Sequence, residues 1–178
     1  MVQDQPSLPS LWLLSDERND AKLEWAIATL PKRSAFVFRH NFLKRKQRRK
    51  RFDELASIVR AGEHLLILAD AIEVAADWGA DGIYGPPTKM GRREGMRRIA
   101  TAHNAREIHH ANRNGADALF LSPVFPTRSH PGEGCLGPTL FHELAARSEI
   151  PVIALGGMNA ERAAQLGCER WGAIDGLS

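Results

Sequence analysis

The feature that most constrains this chain is an alternation. Eight short apolar runs, at residues 11–14, 35–38, 65–68, 83–84, 99–103, 118–124, 152–155 and 171–174, are separated by segments of helical spacing. Short apolar runs bounded by Gly, Asp and Asn read as buried strands. Strands that alternate with helices form a parallel sheet with right-handed crossovers, and eight is the number that closes one into a barrel. The expected fold is therefore a single (β/α)8 barrel over residues 11–178, its last helix missing or truncated, preceded by a flexible tail at 1–10. Three corners agree with a repeated unit: the turns starting at Gly79, Gly115 and Gly167 each end a helix on glycine and lead into a strand. An open doubly wound sheet is the runner-up, but no Gly-x-Gly-x-x-Gly follows any of the runs.

The helices can be placed between those runs. Asn19-Asp20 suits the cap of a first helix carrying Leu23, Trp25, Ala26, Ile27 and Leu30, closed by Pro31. A basic amphipathic helix follows the second run, with Phe52, Leu55, Ile58 and Val59 on one side and Gly62 at its end. Residues 72–78 form the third helix, and a short basic helix is expected at 92–98 after the loop Gly85-Pro86-Pro87-Thr88-Lys89. Asn104 and Asn159 cap later helices, and 139–147 is helical. A barrel flank left bare by a missing eighth helix would expose apolar surface, so a homodimer contact or cover from the N-terminal tail is expected there.

At 178 residues, 43% hydrophobic and 25% charged, the chain can bury one core. No stretch approaches the roughly 18 uninterrupted apolar residues of a membrane span, and the N-terminus lacks a signal-peptide pattern, so a cytoplasmic protein is expected. Cys135 and Cys168 have neither metal-ligand spacing nor disulfide density and read as reduced thiols. The net charge of +3 is concentrated in Lys44 to Arg51. Seven of those eight residues are basic, leaving 17 of the 24 Lys and Arg against 21 Asp and Glu, so the remainder carries −4. No aromatic residue interleaves the basic run and no nucleic-acid fold accompanies it, which disfavours a nucleic-acid partner and favours a solvated helix face.

In such a barrel the chemistry gathers where strands end. Asp16, Arg39, Asp70, Tyr84, Thr101, His103, the loop Thr127 to His130, Gly156-Gly157 and Asp175 all fall there. Gly156-Gly157 before the Asn159-capped helix can present backbone N–H groups to an anion, although the same pair also makes a tight turn. Thr127 and Ser129 can add hydroxyls, and Arg39 can grip a phosphate through two N–H groups. Asp70 could equally cap the helix that follows it.

The strand ends LWLLSD, FVFRH, LLILAD, GADGIYG, TAHNARE, GADALFLSPVFPTRSHPG, IPVIALGGMN and WGAIDGLS, in that order, resemble the thiamine phosphate synthase and thiazole tautomerase (TenI-like) superfamily. The resemblance implies a barrel that joins hydroxymethylpyrimidine pyrophosphate to thiazole phosphate and releases pyrophosphate with Mg²⁺. It assigns Arg39 and Thr101 to pyrophosphate, Asp70 to Mg²⁺, and Thr127, Ser129 and Gly157, next to Gly156, to the thiazole phosphate, while His103 or His130 could act as general base in place of the tautomerase histidine or be a plain loop histidine. The pattern also departs from the family. Val37 and Asn41 stand for a glutamine and a lysine, and Ala69 for an asparagine. Residues 85–88 lack the second metal-ligating aspartate. His130 replaces a lysine, Asp175 replaces a serine, and Pro123 stands at the tautomerase histidine. These departures imply a depleted active site, and the alternative is a non-catalytic or TenI-like barrel that binds a thiazole phosphate-type ligand.

Overall fold

A computed structural model describes residues 7–128 and 134–177. The strands are β1 Leu11–Leu14, β2 Ala35–Phe38, β3 Leu65–Leu68, β4 Gly82–Gly85, β5 Arg97–Ala102, β6 Ala118–Leu121, β7 Val152–Ala154 and β8 Trp171–Ala173. They pair in chain order, all parallel, and β8 pairs with β1 to close the barrel. The α-helices are α1 Leu23–Thr29, α2 Arg45–Ala61, α3 Ile72–Trp78, α4 Ala105–Arg113, α5 Gly137–Ala145 and α6 Ala160–Leu166.

The strands are apolar at nearly every position because both of their faces are buried. Trp12, Leu14, Val37, Ile67, Ile99, Phe120 and Ile153 fill the interior, with Trp12 set edge-on to Phe120 at 5.5 Å. The alternate residues Leu13, Phe36, Phe38, Leu66 and Leu68 pack outward beneath α1, α2 and α3, while Leu119, Leu121 and Ala154 pack beneath α4, α5 and α6. The repeated Gly-Ala-Asp corner has one job at two places. Gly79 and Gly115 take positive φ after α3 and α4, and the aspartates Asp81 and Asp117 each accept the N–H of the second residue of the preceding strand, Leu66 and Arg98, at 2.7 Å.

The structure corrects four of the sequence expectations. Residues 92–98 are not helical: between β4 and β5 the described chain makes one 3-10 turn, Pro87–Lys89, and no α-helix. The physical reason is sheet pairing, since Arg97 and Arg98 stand opposite Gly82 and Ile83 and extend β5 toward its start. Asn19 does not cap a helix through its side chain; α1 begins after a 3-10 turn, Asp20–Lys22. Buried at the top of the barrel, Asn19 instead donates to the carbonyls of Leu14 and Ile174, tying the ends of β1 and β8 together. The fifth helix starts at Gly137, because Pro138 is tolerated in a first turn. The described part of the tail does not lie on a flank. Leu8 packs against the interior cluster, and Ser10 accepts from the Trp171 N–H, so these residues close the barrel floor.

Asn104 and Asn159 cap α4 and α6 as expected, accepting from Glu107 and Arg162 N–H groups. After β8 the described chain makes a 3-10 turn, Asp175–Leu177. No helix among the described residues is long and apolar enough to cross a membrane.

Candidate active site

The carboxyl ends of the strands surround an open mouth of about 1470 Å³. Arg39, Asp70, Thr101, His103, Thr127, Gly156 and Gly157 all stand on its wall, so the structure brings together every described member of the expected set. Ser129 and His130 lie outside the described residues.

Arg39 follows β2 and is held on both its backbone and its side chain. Its N–H donates to Ser15 Oγ at 2.7 Å, its Nε to the Ser15 carbonyl at 2.8 Å, and its Nη2 lies 3.0 Å from Asp16 Oδ2. Burial acts to raise the Asp16 carboxyl, but hydrogen bonds from Arg18 and the charges of Arg18 and Arg39 outweigh it and hold the group below its usual range. Arg18 also reaches Asp175 at 3.4 Å, so this carboxylate faces a cation. Beneath Arg39 lies Tyr84, whose phenol is raised by burial and pulled the other way by the Arg39 guanidinium.

Behind Arg39 runs a buried chain of polar groups. Ser15 Oγ lies 2.8 Å from His40 Nδ1, and His40 Nε2 lies 2.8 Å from Asp20 Oδ1, which also accepts from Arg51. His40 is stacked on Phe38 with ring centroids 4.4 Å apart. Burial lowers its pKa, the Asp20 hydrogen bond opposes that, and the charges of Arg51 and Arg48 lower it further. Neutral His40 with its proton on Nε2 satisfies the whole chain. Arg39 N–H donates to Ser15, Ser15 O–H donates to His40 Nδ1, and His40 Nε2–H donates to Asp20.

Asp70, after β3, is ion-paired with Arg48, one Oδ on the guanidinium and the other accepting the Ala71 N–H at 2.8 Å. Arg48 comes from the first turns of α2 and is 8% exposed. Its Nη2 donates to the Ala69 carbonyl at 3.0 Å and its Nε to the Arg39 carbonyl at 3.1 Å. The basic run divides: Lys44, Arg45, Lys46 and Lys50 are exposed, as a solvated face requires, while Arg48 is buried and Arg49 and Arg51 are partly buried. Arg49 meets Asp53, Lys50 meets Glu54, and Arg51 bridges Asp20 and Glu24.

On the other side of the mouth the loop after β6 is zipped to the end of β7. Val124 N–H donates to Leu155 and Phe125 N–H to Gly156, at 2.9 and 3.1 Å. Gly157 has φ +62°, and a Cβ there would stand 2.6 Å from the Pro126 carbonyl, so the close approach itself demands glycine. Thr127 flanks the same rim. Arg162, in the first turn of α6, donates to the Gly157 carbonyl and lies 4.9 Å over the Phe125 ring. His103, after β5, has Nδ1 2.8 Å from the Ser122 carbonyl. A carbonyl can only accept, so Nδ1 carries the proton and Nε2 is left as the acceptor.

Among the described residues the donors do not converge as a protein-held metal site. The Asp70 carboxylate is committed to Arg48 and the Ala71 N–H, and among the described residues no three His, Cys, Asp or Glu side chains converge. Three site residues escaped sequence reasoning: Arg18, Arg48 and Arg162. Arg48 had a readable signal, since it precedes Phe52, Leu55 and Val59 at helical spacing and therefore shares their buried face. Arg162 had none beyond its position near Gly157.

Comparison with known proteins places this geometry. The pattern of the family described as thiamine monophosphate synthase matches residues 11–174. A protein of Aquifex aeolicus named "Putative thiamine-phosphate synthase 2" is 29% identical over 164 residues, covering 87% of this chain and 88% of that one. The thiamine-phosphate synthase of Methanocella arvoryzae is 35% identical over 108 residues, covering 56% of this chain and 51% of its own length. Among solved structures, thiamine phosphate pyrophosphorylase from Pyrococcus furiosus superposes with a TM-score of 0.76 at 22% identity, covering 94% of this chain and 86% of that one, a likeness of fold. With the family pattern running from β1 to the end of β8, this chain belongs to the thiamine monophosphate synthase family.

Proposed function

We propose that this chain joins hydroxymethylpyrimidine pyrophosphate to thiazole phosphate, forming thiamine phosphate and releasing pyrophosphate. The observation that carries the reading is the pairing of two anion-directed sites across one mouth. Arg39 stands at the end of β2, while Gly156-Gly157 and Arg162, after β7, and Thr127, in the loop after β6, stand round the ring. The mouth exceeds the roughly 300–1,000 Å³ of a pocket for one small ligand, which suits two substrates held together.

In this reaction the bond between the pyrimidine methylene carbon and the pyrophosphate oxygen breaks, and its electron pair leaves with pyrophosphate. The thiazole nitrogen then gives its lone pair to the resulting carbocation, closing the new C–N bond. The protein must hold the leaving oxygens and fix the nucleophile. Arg39, set by Ser15 and Asp16, meets the leaving group, and Thr101, on β5, lines the same mouth. Gly157 and Thr127 orient the thiazole phosphate, with Arg162 supplying a cation on that rim. His103 offers Nε2 as a hydrogen-bond acceptor toward the mouth.

Calorimetric titration of the full chain with thiazole phosphate tests the acceptor half of the reading. Binding that weakens in Thr127→Ala and Gly157→Ala supports it. Absence of binding by thiazole phosphate and by thiamine phosphate would remove the reading and leave kinship alone.

A further inference from the structure

The Asp70 carboxylate is the group that family resemblance would give to Mg²⁺, and the structure gives it to a guanidinium. Three oxygens converge on Arg48: a carboxylate oxygen of Asp70, the carbonyl of Ala69 at 3.0 Å and the carbonyl of Arg39 at 3.1 Å. All three belong to residues at the ends of β2 and β3, where the strands open onto the mouth. An all-oxygen set of this kind is what a hard divalent cation takes. Here a planar fork with fixed donor directions fills it instead. The fork is itself locked, being 8% exposed and lying between the rings of Phe38 at 5.8 Å and Trp78 at 5.5 Å. Arg48 is supplied by α2, the basic helix whose charge the proposed reaction leaves otherwise unused.

We propose that Arg48 takes the place of a protein-held divalent cation, so that Asp70 anchors this guanidinium and binds no metal. The carboxylate is neutralised permanently by a side chain rather than reversibly by an ion. The same guanidinium fixes the Arg39 carbonyl and with it the start of the loop that presents Arg39 to its anion. Arg48 is thus a positioning residue at the pyrophosphate end of the mouth. The inference rests on the reading of that mouth as the site of thiamine phosphate formation.

The test uses Mn²⁺ as the probe, read by electron paramagnetic resonance on the full chain without substrates. It is therefore independent of turnover, and failure of the synthase reading would appear only in product assays. Wild type and Asp70→Asn are expected to leave all Mn²⁺ free at several-fold molar excess. Arg48→Met, which keeps the apolar stem and empties the oxygen set, is expected to gain a bound signal that Arg48→Met/Asp70→Asn loses. Mn²⁺ bound by wild type and lost in Asp70→Asn would overturn the proposal, whether or not the Arg48 variant folds. A folded Arg48→Met chain that gains no Mn²⁺ would overturn it as well.

Discussion

Ser15 Oγ and His40 Nδ1 lie 2.8 Å apart with both side chains almost fully excluded from water, and this contact sets the backbone of Arg39. The serine accepts the Arg39 N–H and passes its own proton toward the imidazole, which passes the next toward Asp20. Removing the hydroxyl strands a buried N–H and a buried ring nitrogen together. Ser15→Ala should therefore cost about 1–3 kcal/mol of stability. Urea unfolding followed by tryptophan fluorescence measures it.

The same chain makes stability depend on pH. Burial is the leading cause that lowers His40, opposed by Asp20, and burial also lowers His64, opposed by its hydrogen bond to the Ile27 carbonyl. A histidine whose folded pKa is depressed is neutral in the native state while the unfolded chain takes up a proton. Its contribution is complete above the unfolded value of about 6.5 and declines as pH falls below it toward the folded value. The melting temperature should fall as pH is lowered from neutral through that window, and His40→Gln should flatten the slope. A profile in which wild type and His40→Gln fall in parallel would contradict the assignment.

The strands and the mouth were legible in the sequence for one physical reason. A strand buried on both faces must be apolar throughout, so β2, β3 and β7 announce themselves, and the first one to three residues after each strand land at the rim. That placed Arg39, Asp70 and Gly157 without knowledge of any contact. What stayed hidden is three-dimensional pairing. Asn19 has the composition of a helix cap, yet its amide bridges Leu14 and Ile174, far apart in sequence. The stretch around Arg97 and Arg98 looks helical by charge and is extended because Gly82 and Ile83 pair with it. Asp70 read as a metal ligand or a helix cap because its partner, Arg48, was hidden in a basic run.

At the rim beyond β7, Arg162 stands with its guanidinium over Phe125 and a hydrogen bond to Gly157. Its cation should be felt by a phosphate seated on Gly157 and not by the pyrophosphate half. Arg162→Gln should weaken thiazole phosphate by about 10- to 100-fold, the equivalent of one charge-assisted hydrogen bond of ~1.5–3 kcal/mol. Inorganic pyrophosphate should bind unchanged. Parallel calorimetric titrations of the two ligands read the split.

Gly157→Ala places a methyl against the Pro126 carbonyl in a left-handed backbone conformation. A cost of about 1–3 kcal/mol in stability follows from the strain. Thiazole phosphate binding should weaken in the same variant because the Pro126 loop must shift. Thermal unfolding and calorimetry on one sample separate the two effects.

The measurement that tests the central claim most directly is product formation from both substrates by the purified chain, with thiamine phosphate and pyrophosphate quantified in the same reaction. Equimolar appearance of the two products is expected. Arg39→Gln should reduce the rate by about 10- to 100-fold through loss of a charge-assisted contact to the leaving group. Thiazole phosphate that binds while neither product forms would contradict the account, leaving a barrel that holds the ligand without performing the transfer.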